Sequence, residues 1–256
     1  RLRRRMLRFI KTRQRQLAQL APCPLPQPLP LAQAQRVLVF APHPDDETLG
    51  CGGTLAQLAT RCAVKVVLVT DGSGAGGLPA GSDVIRQAEF RQALALLGIH
   101  DSTMLGAPDG HFTPTASLTQ QVTQLLATYQ PDWVFLPSPL DYHRDHARIA
   151  DWLTPLCWQH PSVQQLLFYE IWSPVPATHV VDITEVMAQK QTALAAHVTA
   201  MACGDYLRAI EGLNRYRGLY LGRERWAEAF WVETRAAPRL FDAVQALSLR
   251  LLARLG

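Results

Sequence analysis

The stretch RVLVFAPHPDDETLGCGG, residues 36–53, decides how this chain is read. Its opening residues form a short apolar run of β-branched and aromatic type, the length of a buried strand. The chain leaves that run through His43, Pro44, Asp45 and Asp46 and enters a Gly-rich turn followed by TLAQLAT, which has helical character. A solvated turn accounts for these residues one by one: Pro fixes φ, and an Asp caps a helix starting near Thr48. A reaction centre would need the same residues held rigid and matched by partners elsewhere in the chain.

The pattern repeats outward from this stretch. Strand-like segments are VKVVLVTDG (64–72), STMLGAPDG (102–110), DWVFLPS (132–138), QQLLFYEIW (164–172), HVVDIT (179–184) and WAEAFWVET (226–234). Between them lie helix-like segments at 83–98, 117–130, 146–159 (with a kink expected at Pro155), 185–201 and 205–222, and an amphipathic helix is expected at 238–256. The alternation predicts an α/β fold with a mainly parallel sheet and helices on both faces. In such sheets sites form outside the carboxyl ends of the strands. The polar clusters fall at those ends: His43 to Asp46 after the first strand, Asp71 after the second, Asp109 after the third, and DYHRDH (141–146) after the fourth. The glycines of 72–82 lack the helix-entry spacing of a dinucleotide site.

Composition narrows the function classes. The chain has 256 residues, 48% hydrophobic and 18% charged, enough for one large domain with a substantial core. No run of 18 apolar residues occurs, so no membrane span is expected. Five cysteines (23, 51, 62, 157, 203) without a CxxC pair argue for a reducing, cytoplasmic compartment and against a thiolate zinc knuckle. The net charge of +4 comes from residues 1–20, which hold eight Arg or Lys and no acid. The remainder carries 17 basic against 21 acidic residues, which gives no support for nucleic-acid binding. Residues 1–34 therefore read as a basic amphipathic helix and a Pro-rich connector, with peripheral contact to an anionic membrane open to residues 1–20. Residues 35–256 read as a single catalytic domain ending in the amphipathic helix. Oligomeric state is not legible.

Two segments a hundred residues apart each offer histidine and carboxylate at close spacing. Imidazole and carboxylate together suit Zn2+, and a catalytic zinc wants three protein ligands plus an open position. His43, Asp46 and His146 make that set, and Fe2+ or Co2+ can share it. The metal would bring the pKa of bound water toward about 7. Asp45 would act as general base, and His143 would stabilise the oxyanion and protonate the leaving amine. Asp145 or Asp141 would orient His143. Trp172 is a candidate for stacking on a sugar ring, and His111 for contacting substrate.

The paired motifs APHPDDETLGCGGTLAQL and DYHRDH resemble the PIG-L/LmbE-like family of zinc-dependent deacetylases acting on N-acetylglucosamine-containing substrates. The similarity runs from about residue 35 to 235, through TDGSG, RQAEFRQALALLG and LGAPDG. The resemblance implies an open Rossmann-like sheet, metal ligation by His43, Asp46 and His146, Asp45 as base, and His143 as acid or oxyanion donor adjusted by Asp145. It also implies that Arg86 and Asp109 hold the sugar. Arg144 departs from the Pro common at that point of the family motif, leaving the ligand spacing intact. The expected activity is release of acetate from an N-acetylated amino sugar or glycoconjugate. Two rival readings are a Mg2+- or Mn2+-dependent phosphate-ester hydrolase and a catalytically idle membrane-associated binding protein.

Overall fold

A computed structural model describes residues 25–74, 78 and 81–235. The basic helix expected at 1–20 and the amphipathic helix expected at 238–256 lie outside the described residues. Among the described residues no helix is long and apolar enough to cross a membrane.

In chain order the elements are β1 (Gln27–Pro28), β2 (Arg36–Ala41), α1 (Asp46–Ala59), β3 (Ala63–Thr70), α2 (Ser82–Leu96), β4 (Asp101–Ala107), α3 (Ala116–Tyr129), β5 (Trp133–Pro137), α4 (Arg144–Gln159), β6 (Gln165–Tyr169), β7 (His179–Asp182), α5 (Met187–Ala195), α6 (Val198–Cys203), α7 (Tyr206–Gly218) and β8 (Ala227–Thr234). They form one eight-stranded sheet in the order β1-β7-β8-β6-β5-β2-β3-β4. From β6 to β4 every pairing is parallel, and only β8 runs against its neighbours β6 and β7. The α/β, mainly parallel architecture is as expected.

Strand β2 sits between β3 and β5. The chain builds outward from β2 to β4 on one side, then returns to lay β5 and β6 on the other. The topological switch point, where a crevice opens beyond the strand ends, thus lies between β2 and β5. These are the strands that lead into His43 and His143. The apolar run of β2 is continuous because both sheet faces are covered. Val37, Val39 and Ala41 join the core under α1, α2 and α5, whereas Leu38 and Phe40 join the opposite core under α3 and α4. Helix α3 is capped by Thr115, whose Oγ1 accepts from the Leu118 N–H at 3.1 Å.

Three element boundaries differ from expectation. The first helix begins at Asp46, and Asp45 occupies its cap position without making a side-chain cap bond. Strand β6 stops at Tyr169, leaving Glu170 and Trp172 in the loop beyond it. The long helix expected at 185–201 is a 3-10 turn (Thr184–Val186) followed by α5 and α6, interrupted at Ala196 and His197. Helix α4, by contrast, continues through Pro155.

Helix α1 is itself broken at Cys51, where φ is −145° and ψ is 16°. The break frees a carbonyl on one side and two amide N–H groups on the other, all buried and each needing a partner. Lys190 of α5 supplies the donor, its Nζ lying 2.9 Å from the Leu49 oxygen. Glu228 of β8 supplies the acceptors: its carboxylate takes the Gly53 N–H at 2.8 Å and the Thr54 N–H at 2.7 Å. Lys190 and Glu228 pair at 2.6 Å, and Asn214 of α7 accepts from Lys190 at 3.0 Å. This clamp lets the first turn of α1 point independently of the rest of the helix. That turn carries Asp46.

Candidate active site

The site assembles at the switch point. Asp45 has φ of 140°, a region that residues with a Cβ rarely occupy and that costs on the order of 1–3 kcal/mol. The strained residue turns the chain sharply from β2 into α1, so that the carboxylate of Asp46 folds back onto His43. Asp46 Oδ2 accepts the His43 backbone N–H at 2.9 Å and lies 3.1 Å from His43 Nδ1. His146, in the first turn of α4, brings its Nε2 to 3.2 Å from the same oxygen and 3.1 Å from His43 Nδ1. Three donor atoms therefore form a near-equilateral triangle in a buried position.

That triangle fits a metal. Tetrahedral Zn2+ with bonds of about 2.0–2.1 Å holds its ligand atoms about 3.3–3.4 Å apart. Two ring nitrogens facing one carboxylate oxygen at this spacing also want positive charge between them. Burial works against charge on both rings and on Asp46. Their mutual attraction outweighs it, holding the Asp46 carboxyl far below the usual carboxylate range and raising His146 to about 9. A cation at the centre would take over the role of those imidazolium protons.

Each histidine is backed by carboxylates on its far side. His43 Nε2 lies 3.0 Å from Asp109 Oδ1 and 3.5 Å from Asp145 Oδ2. His146 Nδ1 lies 3.3 Å from Asp141 Oδ2. Such partners fix ring orientation and strengthen the ligating nitrogen. Asp145 also accepts from the Gly110 N–H at 2.7 Å and the Phe112 N–H at 3.0 Å. Burial would raise the Asp145 carboxyl, but the His43 bond and these amides hold it below the usual range.

The Asp145 side chain, expected from sequence to orient His143, makes its nearest described contact with a histidine at His43, and it reaches His143 only through its charge. Asp145 Oδ2 lies within ion-pair distance of His43 Nε2, and among the described residues no hydrogen bond satisfies His43 Nε2, His146 Nδ1 or His143 Nδ1. Asp141 touches His143 only through the backbone, accepting its N–H at 2.9 Å. The half-buried His143 ring stands edge-on to His43 with centroids 4.9 Å apart, and 4.5 Å from that of His146. Burial and the neighbouring imidazoles push its pKa below the ordinary histidine value.

Asp45 is buried beside the triangle, with Arg86 Nη2 at 3.7 Å from its Oδ2. Burial, then the charge of Asp46, pushes its pKa up to about 7, against the pull of Arg86. Arg86 is also buried, donating to the Gly72 carbonyl at 2.7 Å and the Pro44 carbonyl at 3.3 Å, and lying 3.5 Å from Asp109 Oδ2. It ties together the loops after β2, β3 and β4. Trp172 sits at the edge of the site, donating its backbone N–H to Asp141 Oδ2 at 3.1 Å, with its ring against Tyr206. His111 is exposed, and among the described contacts none joins it to the cluster.

Sequence reasoning missed two buried groups here. Glu47 carries its Oε2 3.4 Å from the Asp45 N–H and accepts from Thr48 Oγ1 at 2.7 Å. His197 is 1% exposed, with its Nε2 3.3 Å from Thr48 Oγ1 and 3.5 Å from Glu47. The signal for Glu47 was its place as the third acid in a motif of otherwise accounted residues. His197, in the break between α5 and α6, had none.

Comparison with known proteins points to the same architecture. A family model described as PIG-L, GlcNAc-PI de-N-acetylase, matches residues 38–156. A diacetylchitobiose deacetylase of Thermococcus kodakarensis is 28% identical over 224 residues, 76% of this chain and 81% of the relative. The solved structure of the N,N'-diacetylchitobiose deacetylase from Pyrococcus horikoshii superposes with a TM-score of 0.72 at 24% identity, covering 80% of this chain and 86% of that one. A conserved protein from Thermus thermophilus gives a TM-score of 0.69 at 30% identity, covering 80% and 96%. With both histidine motifs at the strand ends where that architecture brings them together, the chain belongs to the PIG-L/LmbE-like family.

Proposed function

We propose that this chain is a zinc-dependent N-deacetylase that releases acetate from an N-acetylated amino sugar or a GlcNAc-containing glycoconjugate. Deacetylation of GlcNAc-type substrates is supported by the family and by the names of its relatives. The single observation that carries the metal chemistry is the triangle of His43 Nδ1, Asp46 Oδ2 and His146 Nε2, with sides of 3.1 to 3.2 Å. When bound there, Zn2+ would act as a Lewis acid and make water a competent nucleophile near neutral pH. Fe2+ or Co2+ suits the same nitrogen and oxygen donors.

The residues around the triangle divide the remaining work. Asp45, its pKa near 7, can take a proton from the attacking water and hold it at its carboxylate. The nearby Arg86 guanidinium orients that carboxylate. His143 is the one histidine of the cluster whose ring is partly open to solvent. It can hydrogen-bond the oxygen that becomes negative when the amide carbonyl is attacked and, once it carries a proton, such as the one Asp45 takes from water, deliver it to the amine as the C–N bond breaks. Asp109, Asp145 and Asp141 keep the two ligating rings oriented.

The acidic lining also favours a neutral amide over an anionic phosphate ester. Asp45, Asp46, Asp109, Asp141 and Asp145 surround the centre, and Arg86 already engages two of them. The complete donor set argues against an idle binding protein. The five cysteines, spaced without a CxxC pair, favour a reducing, cytoplasmic setting. The test is elemental analysis followed by acetate release from a panel of N-acetyl sugars, with Asp45→Ala alongside. The variant should retain metal and lose turnover by a factor of about 100 or more. Turnover at the wild-type rate would remove Asp45 from the base role.

A further inference from the structure

We infer that Glu47, Thr48 and His197 form a buried brace of positioning residues for the base: by holding the Asp45 N–H they keep the Pro44–Asp45 peptide, and with it the Asp45 carboxylate, in place beside the metal triangle. This role rests on the reading of Asp45 as base given above. Asp45 is strained, with φ of 140°. Turning the Pro44–Asp45 peptide over by half a turn would bring φ to about −40°, which with the ψ of −26° is close to ordinary helical backbone. A relaxed conformation is thus one peptide flip away, and Asp45 stays strained only because its surroundings reject that flip.

Both edges of the peptide are held. The Pro44 carbonyl accepts from Arg86 Nη2 at 3.3 Å, and the same nitrogen lies 3.7 Å from Asp45 Oδ2. On the opposite edge of this trans peptide the Asp45 N–H donates to Glu47 Oε2 at 3.4 Å. The peptide dipole, about 3.5 D, therefore lies between a guanidinium at its oxygen and a carboxylate at its hydrogen. A flip would set a carbonyl oxygen against Glu47 and take the Pro44 oxygen away from Arg86. The guanidinium beside the Asp45 carboxylate would lose that anchor.

Glu47 needs holding in its turn. It is fully buried, and among the described ion pairs its one cationic partner is His197, at 3.5 Å. Thr48 Oγ1 donates to Glu47 Oε1 at 2.7 Å. That leaves the Thr48 oxygen to accept, so His197 Nε2, 3.3 Å away, carries the proton it donates. Imidazole, hydroxyl and carboxylate thus line up as successive donors and acceptors, and such bonds reinforce one another away from water. His197 stands in the break between α5 and α6, and Glu89 of α2 fixes the start of α6 by accepting the Thr199 N–H at 3.0 Å. The brace is therefore anchored outside α1, on helices that carry none of the metal-ligand candidates.

The test uses the full chain loaded with Zn2+, read by acetate release from N-acetylglucosamine, N-acetylgalactosamine and the methyl β-glycoside of N-acetylglucosamine. His197→Leu, and Thr48→Val, which removes only the linking hydroxyl, should each keep full metal content. Each should lower kcat by about tenfold or more while KM stays within about twofold. Thr48→Val carries the test if His197→Leu fails to fold. His197→Gln keeps a donor for Thr48 and should restore kcat to within about threefold of wild type. Because the brace acts through Asp45, adding Thr48→Val to Asp45→Ala should lower the residual rate by less than about twofold. Hydrogen exchange by NMR reads the Asp45 amide without turnover. In Thr48→Val that amide should exchange about tenfold faster or more relative to the Val67 amide of β3, which follows global stability. Wild-type kcat in either variant, a loss that His197→Gln does not recover, an Asp45 amide that keeps pace with Val67, or an undiminished loss in the Asp45→Ala background would overturn the brace and leave the deacetylase reading standing. Acetate release by Asp45→Ala at the wild-type rate would overturn the base assignment and the brace with it. No acetate from any of the three sugars would overturn the deacetylase reading and, with it, the brace.

Discussion

Replacing Glu228 by Ala should be among the most damaging single changes in this protein, although Glu228 touches neither the metal triangle nor Asp45. The carboxylate is 1% exposed and Lys190 is 0% exposed. Its loss strands the Lys190 ammonium in the core, a type of change that costs about 3–5 kcal/mol. It also removes the acceptor for the Gly53 and Thr54 N–H groups, and each buried polar group left unsatisfied adds about 1–3 kcal/mol. Against a total stability of about 5–15 kcal/mol, the variant would sit near the edge of folding. Urea unfolding at pH 7 measures the difference from the midpoint and slope. If Glu228→Ala does not fold, Glu228→Gln keeps one acceptor oxygen and should lose about 1.5–3 kcal/mol, the range for hydrogen bonds to charged groups. Lys190→Met combined with Glu228→Leu removes the stranded charge and should cost clearly less than the sum of the two single changes. Because the clamp holds the break one turn beyond Asp46, weaker Zn2+ binding in a chelator competition should accompany the stability loss. A Glu228→Ala protein within about 1 kcal/mol of wild type, or a strictly additive double variant, would refute the clamp.

Three further outcomes are expected. Zn2+ should raise the melting temperature of the wild type, and Asp46→Asn should lose both that gain and its Zn2+ on dialysis; full metal content in the variant would take Asp46 out of the ligand set. Gly50→Ala would drive its Cβ into the Tyr169 ring and to 2.9 Å from the Glu170 carbonyl, so it should destabilise by about 1–3 kcal/mol. An unchanged unfolding midpoint would contradict that packing. At His197, burial opposes the charge, but the Glu47 bond and the charges of Glu47 and Asp45 outweigh it, so the folded-state pKa is raised. The protonated form therefore stabilises the fold fully below about pH 6.5, the ordinary histidine value, and less as pH rises through the folded-state value. His197→Gln should accordingly lower the melting temperature more at pH 6 than at pH 9, and an equal loss at both would show that only its packing matters.

Much of the fold was legible because its strands are buried on both faces. A parallel sheet covered on two sides demands unbroken apolar runs such as VLVF and VVLV, and these are visible in sequence. The place of the candidate site residues at one edge of the sheet followed as well, since polar residues directly after such runs fall at the carboxyl ends of strands. Other features were hidden. Strand β8 inserts antiparallel between β6 and β7, a choice of neighbour that WAEAFWVET cannot encode locally. Its Glu228, an acid between two alanines in the inner half of the strand, was the trace that β8 carried of the clamp.

By itself, then, the sequence determined the class of fold, the two histidine motifs and their meeting at one sheet edge, because each depends on local periodicity and residue type. The tertiary structure alone decided which carboxylate serves which histidine. Asp145 stands two residues from His143 yet backs His43, while Asp141 backs His146. The reason is geometric: His143 is extended at the end of a loop, and Asp145 already lies in the first turn of α4, so their side chains diverge. Strand order then carries the loop of Gly110 and Phe112, with His43, to the Asp145 carboxylate. Proximity in sequence does not fix direction, and here direction assigned the roles.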